Sequence, residues 1–125
     1  ERIRSMMAEI EDPVTAVTTF VKALAEQVEA SGYRAGGPIT AIALESASTN
    51  DRLRISCNLA YESWQDAFAD RLRLGGFGEA RSRRLGALII AALEGGIILS
   101  RSQRSPQPLH DVAHEIEILL RCVES

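Results

Sequence analysis

Residues 85–100 read LGALIIAALEGGIILS, and this run restricts the fold more than any other stretch. Every residue in it is apolar or small except Glu94. A surface helix shows a polar stripe every 3.6 residues, whereas a helix that is apolar on all sides must be covered on all sides. In a chain of 125 residues, one side can meet the domain's own core, and the other is expected to meet a second copy of the chain. Small residues recur at Ala87, Ala91 and Gly95, and again at Ala92 and Gly96. They form a smooth strip on which another helix backbone can lie close. Each glycine inside a helix costs roughly 1 kcal/mol against alanine, so the Gly95-Gly96 pair points to close packing. A membrane span is the competing reading. Against it, the run is shorter than the ~20 apolar residues a span needs, and it carries Glu94.

The length fits one domain with a real core. Ala, Leu, Glu and Arg are plentiful and β-branched runs are short, which biases the chain towards helix. The net charge of −3 comes from interspersed acids and bases. With no basic stripe, this part of a protein is not expected to hold nucleic-acid phosphates. Cys57 and Cys122 show no framework spacing, as in a reducing compartment. No segment reads as a signal peptide. The opening ERIRSMMAEI puts Ile3, Met6, Met7 and Ile10 on one helical face with no capping residue before it. A helix that starts so abruptly is expected to continue from a longer protein.

Punctuation divides the rest into helices. Asp12-Pro13 is a capping carboxylate followed by proline at a first helical position. Val14, Val17, Phe20, Val21, Leu24 and Val28 then keep helical spacing until Gly32. Pro38 opens a short helix over 39–47. The polar break at 48–50 can cap a long helix over 51–74, whose stripe comprises Leu53, Cys57, Ala60, Tyr61, Trp64, Ala67 and Phe68. Gly75-Gly76-Phe77-Gly78 stops it. A helix over 79–103 contains the opening run, Ser105-Pro106-Gln107-Pro108 breaks the chain, and a last helix covers 109–123. Six helices without a strand signal describe an all-α bundle.

Several constellations invite a chemical reading. His110 and His114 are spaced i, i+4 around Asp111, so both imidazoles can face one zinc ion, and a metal-dependent hydrolase is one alternative function. Asp replaces the longer Glu of HExxH, however, and no third ligand stands at suggestive spacing, so a solvated pair is favoured and no metal or other cofactor is implied. The glycine clusters at 36–37 and 75–78 match no phosphate-binding pattern and read as helix ends. No serine or cysteine sits in a recognisable nucleophile elbow, so no catalytic residue is assigned. Phe20, Tyr61, Trp64 and Phe68 either fill the core or line a cavity, with the Tyr61 O–H and Trp64 N–H as polar handles and Met6 and Met7 as adaptable walls. Glu45 and Glu94 are single acids in apolar surroundings, where a partner from another helix is the simplest expectation.

The segments GGPITAIALESA, YESWQDAFADRLR and LGALIIAALEGGIILSRSQRSPQPLHDVAHEIEILL, in that order, resemble the carboxy-terminal half of TetR-family transcriptional regulators of the LmrA/YxaF-like branch. Gly37-Pro38, Glu45, Trp64 and Ala92-Leu93-Glu94-Gly95 followed by the SxxPL break carry the likeness, which extends over essentially the whole chain. That branch usually shows Gly-Cys-Pro where this sequence has Gly36-Gly37-Pro38, so no role of that cysteine transfers. The resemblance implies a bacterial, cytoplasmic repressor that is not an enzyme. Its fold would be a six-helix orthogonal bundle, with the last two long helices paired across a homodimer as a four-helix bundle. It implies an amino-terminal helix-turn-helix domain outside residues 1–125 that binds operator DNA, and an effector pocket among the helices over 13–31, 51–74 and 79–103. On this chain, Phe20, Leu24, Cys57, Tyr61, Trp64 and Phe68 are the expected walls for a small, largely apolar effector. Leu88, Ala91, Ala92, Gly95, Leu99, Val112, Ile116 and Leu119 are the expected dimer contacts. A helical assembly module with a filled core and no ligand is the other alternative.

Overall fold

The computed structural model describes residues 2–34 and 50–122. Among them the chain forms five helices and no strand: α1 (Arg2–Ala8), α2 (Pro13–Ala30), α3 (Asp51–Leu74), α4 (Glu79–Gln103) and α5 (Gln107–Cys122). The helix expected over 39–47, with Glu45 and the Gly36-Gly37 pair, lies outside the described residues.

Local chemistry sets the helix ends. The Asp12 carboxylate accepts from the Thr15 backbone N–H at 3.0 Å, with Pro13 in the first turn of α2. The α2 helix closes through Gly32 and Tyr33, both at positive φ (71° and 66°), as the Tyr33 N–H reaches back to the Val28 carbonyl. Asn50 caps α3 by accepting from the Leu53 N–H at 3.1 Å. Gly75 and Gly76 end that helix, and Gly76 takes a φ of 107° that a side chain resists. The last helix begins at Gln107, two residues before the expected start. Proline costs a helix nothing in its first turn, so Pro108 is taken into α5, and the Ser105 hydroxyl accepts from the Gln107 N–H at 3.1 Å.

The α3 helix packs along α4, α2 along α5, and α4 against α5, while α1 lies across α2 and α3. Val17, Val21 and Val28 of α2, Phe68 and Leu72 of α3, Ile89 and Leu93 of α4, and Leu109 and Leu120 of α5 meet in the core, with Met7 of α1. Two glycines permit the close crossings. A Cβ on Gly86 would stand 2.6 Å from the Gln65 carbonyl oxygen of α3, and one on Gly96 would stand 2.7 Å from Leu109 Cδ2 of α5.

Two apolar helices divide their surfaces unequally. Along α3, burial increases towards the carboxy-terminal end. Leu53, Ile55 and Leu59 are exposed, Cys57, Tyr61 and Trp64 are half-buried, and Ala67, Phe68 and Leu72 are buried. The stripe read from the sequence as one surface is therefore buried only where α1, α2 and α4 converge, and Leu53 stands outside the core. Along α4, Leu85, Ile89, Ile90, Leu93 and Ile97 are buried, but Leu88, Ile98 and Leu99 remain 47, 47 and 51% exposed. By length and composition α4 is apolar enough to cross a membrane. Its buried side faces the domain's own helices, and its other apolar side is open in a single copy.

Candidate functional site

An apolar cleft of about 530 Å³ opens between α1, α2 and α3. Ile3 and Met6 come from α1, Phe20, Ala23, Leu24 and Gln27 from one face of α2, and Trp64 from α3. Its volume falls in the range of small-molecule sites, and no charged side chain is among the described lining residues. Aromatic pairs hold the walls. Phe20 stands edge-on to Phe68, with ring centroids 5.4 Å apart at 71°. Trp64 stands edge-on to Tyr61, also at 5.4 Å and at 86°.

Of the six residues expected to wall a pocket, Phe20, Leu24 and Trp64 line this cleft. Phe68 is completely buried and braces Phe20 from the core side. Tyr61 supports Trp64 in the same way, and half-buried Cys57 lies two turns further along α3 and does not border the cleft. Sequence reading did not name Ile3, Ala23 or Gln27 as walls. Ala23 and Gln27 carry a usable signal, since they continue the Phe20 face at i+3 and i+7. Ile3 does not, because its place depends on how α1 docks. The two methionines part company: Met6 lines the cleft and Met7 is in the core, 1% exposed.

Polar contacts fix α1 and the corner that follows it. The Arg71 guanidinium donates through Nη2 to the carbonyls of Ile10 (2.6 Å) and Glu11 (2.7 Å), and through Nε to that of Met7 (3.4 Å). It thereby gives a charged donor to the carbonyls of the corner between α1 and α2, while the Met7 carbonyl also accepts from the Ile10 N–H at 3.2 Å. Arg4 pairs with Asp70 at 2.9 Å. At the start of α2, Arg121 of α5 donates to Asp12 Oδ2 at 2.9 Å and to the Thr15 hydroxyl at 3.1 Å. The Thr15 hydroxyl, which donates to Asp12 Oδ2, and then the Arg121 guanidinium hold the Asp12 carboxyl at about 2, below its ordinary 3.8.

A second concavity, about 500 Å³, runs between the outer sides of α4 and α5. Leu88, Ala92, Leu99, Val112, Ile116 and Leu119 line it, all expected contacts of a second copy. The other two such residues lie on α4: Ala91 is exposed, and Gly95 has open space where a Cβ would stand. His110 and His114 are exposed on α5. Among the described residues, no three His, Cys, Asp or Glu side chains gather in a way that could hold a metal ion.

Residues 13–115, most of the chain, match the family described as transcriptional regulator LmrA/YxaF-like, C-terminal domain. The chain belongs to that family. This LmrA/YxaF-like domain is 36% identical over 119 residues to the HTH-type transcriptional regulator YxaF of Bacillus subtilis, covering 95% of this chain and 62% of that protein. It is 29% identical over 121 residues to the HTH-type transcriptional regulator LmrA of the same organism, covering 97% of this chain and 64% of that protein. An HTH-type transcriptional regulator of Mycobacterium tuberculosis is 29% identical over 125 residues, again with 64% of its length covered. The chain thus spans a little under two thirds of the length of these relatives. They are TetR-family transcriptional regulators, and the all-helical architecture of the described residues agrees with that family.

Proposed function

We propose that this domain is the effector-binding and dimerising part of a cytoplasmic, ligand-responsive transcriptional repressor. DNA is bound by an amino-terminal helix-turn-helix domain outside residues 1–125. The reading rests on the cleft. Its described lining residues are uncharged, it is large enough for a small apolar molecule, and it is walled on one side by Ile3 and Met6 of α1, the helix nearest the amino-terminal end.

Two reading heads enter successive major grooves only when they sit about one DNA turn apart, ~34–36 Å. A molecule wedged against Ile3 and Met6 fits one position of α1 better than another. It shifts the population of head spacings by that difference in affinity and by no more. The open apolar side of α4, with α5, supplies the contact with a second copy that keeps the two heads at a fixed distance.

Trp64 is the only tryptophan in the chain and borders the cleft, so its emission reports occupancy. A library of neutral, apolar compounds screened by thermal shift is expected to yield stabilising hits that change Trp64 emission. Those hits should also release operator DNA from the full-length protein. Compounds that release the DNA while leaving Trp64 emission untouched would remove the cleft from the mechanism.

A further inference from the structure

Two neighbouring residues of α3 hold α1 near its two ends, and they do so by different means. Arg71 grips the carboxy-terminal end, where its guanidinium donates to the carbonyls of Met7, Ile10 and Glu11 at 3.4, 2.6 and 2.7 Å. Hydrogen bonds from one half-buried cation to three backbone oxygens make that end a pivot. Asp70 holds the amino-terminal half through a single side-chain pair, Arg4 Nη1 to Asp70 Oδ2 at 2.9 Å. The two side chains are 46 and 40% exposed, and an ion pair so open to water is a weak tie. Asp70 has a second cation within reach, Arg73 of its own helix at 3.7 Å. Arg4 in turn borders a polar hollow between α1, α3 and α4 that Asp66 and Glu79 also line. Each partner therefore keeps an opposite charge nearby when the two part, which lowers the cost of parting.

The same short helix borders both spaces. Ile3 and Met6 wall the apolar cleft, whereas Arg4 lines the polar hollow. A molecule in the cleft influences α1 only if the occupied cleft favours a position of α1 other than the empty one. The empty position is the one in which Arg4 meets Asp70. With the far end pivoted at Arg71, a swing in any direction moves position 4 and strains or breaks that pair. Its free energy is therefore subtracted from binding, whichever way α1 turns.

We propose that Asp70 is a positioning residue for the cleft: through Arg4 it latches α1 in the unoccupied position, and occupancy acts by releasing that latch. The proposal rests on the effector-binding reading above and adds the contact that resists the ligand. It also fixes a sign. Where the competent position of α1 is only fractionally populated, apparent affinity is reduced by that fraction, so a chain without the latch binds more tightly. Loss of a contact that merely built the wall would weaken binding instead.

The test uses Nile red, an uncharged apolar dye, with quenching of Trp64 as the report of binding to the 125-residue chain. Neither side chain of the pair is buried, so D70N and R4Q are expected to keep the wild-type circular dichroism. Each is expected to bind the dye roughly twofold to fivefold more tightly, the factor that one exposed ion pair supplies. The R4Q/D70N double variant should bind no more tightly than either single one, because the two residues act as a unit. R54Q removes another exposed pair, Arg54–Asp51 within α3, and should bind as wild type does. Without dye, the Met6 and Met7 amides of α1 should exchange faster in D70N and R4Q by a similar factor. Unchanged or weaker dye binding in both variants would overturn the latch, and so would equal tightening in R54Q. If the dye quenches Trp64 in no version of the chain, the cleft loses its effector reading and amide exchange alone judges the latch. Faster exchange in both variants then sustains it, and wild-type rates end it.

Discussion

Replacing Gly86 with alanine sets two effects of similar size against each other. Helix propensity favours alanine by about 1 kcal/mol inside a helix. The new Cβ, however, would sit 2.6 Å from the Gln65 carbonyl oxygen and 3.3 Å from both Ala69 Cβ and the Ala69 backbone nitrogen. Carbon normally approaches a carbonyl oxygen to roughly 3.3–3.6 Å. The obstruction is backbone rather than a side chain that can swing aside, so α3 and α4 must separate by about 0.7–1 Å. A gap of that size forfeits a quarter to a half of each dispersion contact along the seam, and overpacking of this kind costs about 1–3 kcal/mol. With the propensity gain subtracted, the variant should lose up to about 2 kcal/mol, a fall in Tm of up to roughly 8 °C. Urea unfolding followed by far-ultraviolet circular dichroism reads this directly, as a lower midpoint at unchanged slope. Gly95→Ala is the control. Nothing lies within 4 Å of its Cβ position within one copy, so at concentrations where the chain is monomeric it should gain about 1 kcal/mol. If both variants were stabilised alike, the α3–α4 crossing would not be as close as described, and the reasoning from Gly86 would collapse.

Three further outcomes follow from particular contacts. Asp12 titrates at about 2 in the folded chain against 3.8 without its partners. Its stabilising effect is therefore fully present above about pH 4 and is lost as the pH falls through 2. A carboxyl titration by NMR should place its midpoint near 2, moving upward in Arg121→Ala, and Asp12→Ala should cost about 1 kcal/mol through the lost cap. Arg71→Ala leaves the Ile10 and Glu11 carbonyls without their charged donor. It should cost about 1–2 kcal/mol and speed amide exchange in α1 more than in α4, and Arg71→Lys should rescue it poorly because a point donor cannot span the same carbonyls. Phe68→Ala empties a fully buried site and should cost about 3–5 kcal/mol in chemical denaturation; a loss under 1 kcal/mol would show that the aromatic is not part of the core.

The helix boundaries were legible in one dimension because the chemistry that sets them closes within a few residues. Asp12 reaches Thr15, Asn50 reaches Leu53, and the Tyr33 N–H reaches Val28. Each signal is complete in its own neighbourhood. The unusual character of the 85–100 run was legible for the same reason, since no arrangement of neighbours can hide that many apolar side chains with a single face. The start of α5 departs from the expected position because Pro108 lies in the helix's first turn, where proline is harmless rather than a breaker.

The division of labour among the apolar residues was not legible, because it depends on which helices converge. Trp64 and Phe68 are one turn apart on the same stripe, yet the first borders the cleft and the second is sealed in the core. Met6 and Met7 are adjacent and end on opposite sides of that same boundary. Arg71 reads in sequence as one solvated arginine among many, and only the fold brings it to carbonyls more than sixty positions earlier in the chain. Periodicity specifies that a face is apolar. Which neighbour covers it is decided by how near two backbones can come, and here that distance is set at Gly86 and Gly96, where the absence of a single carbon lets one helix settle onto the next.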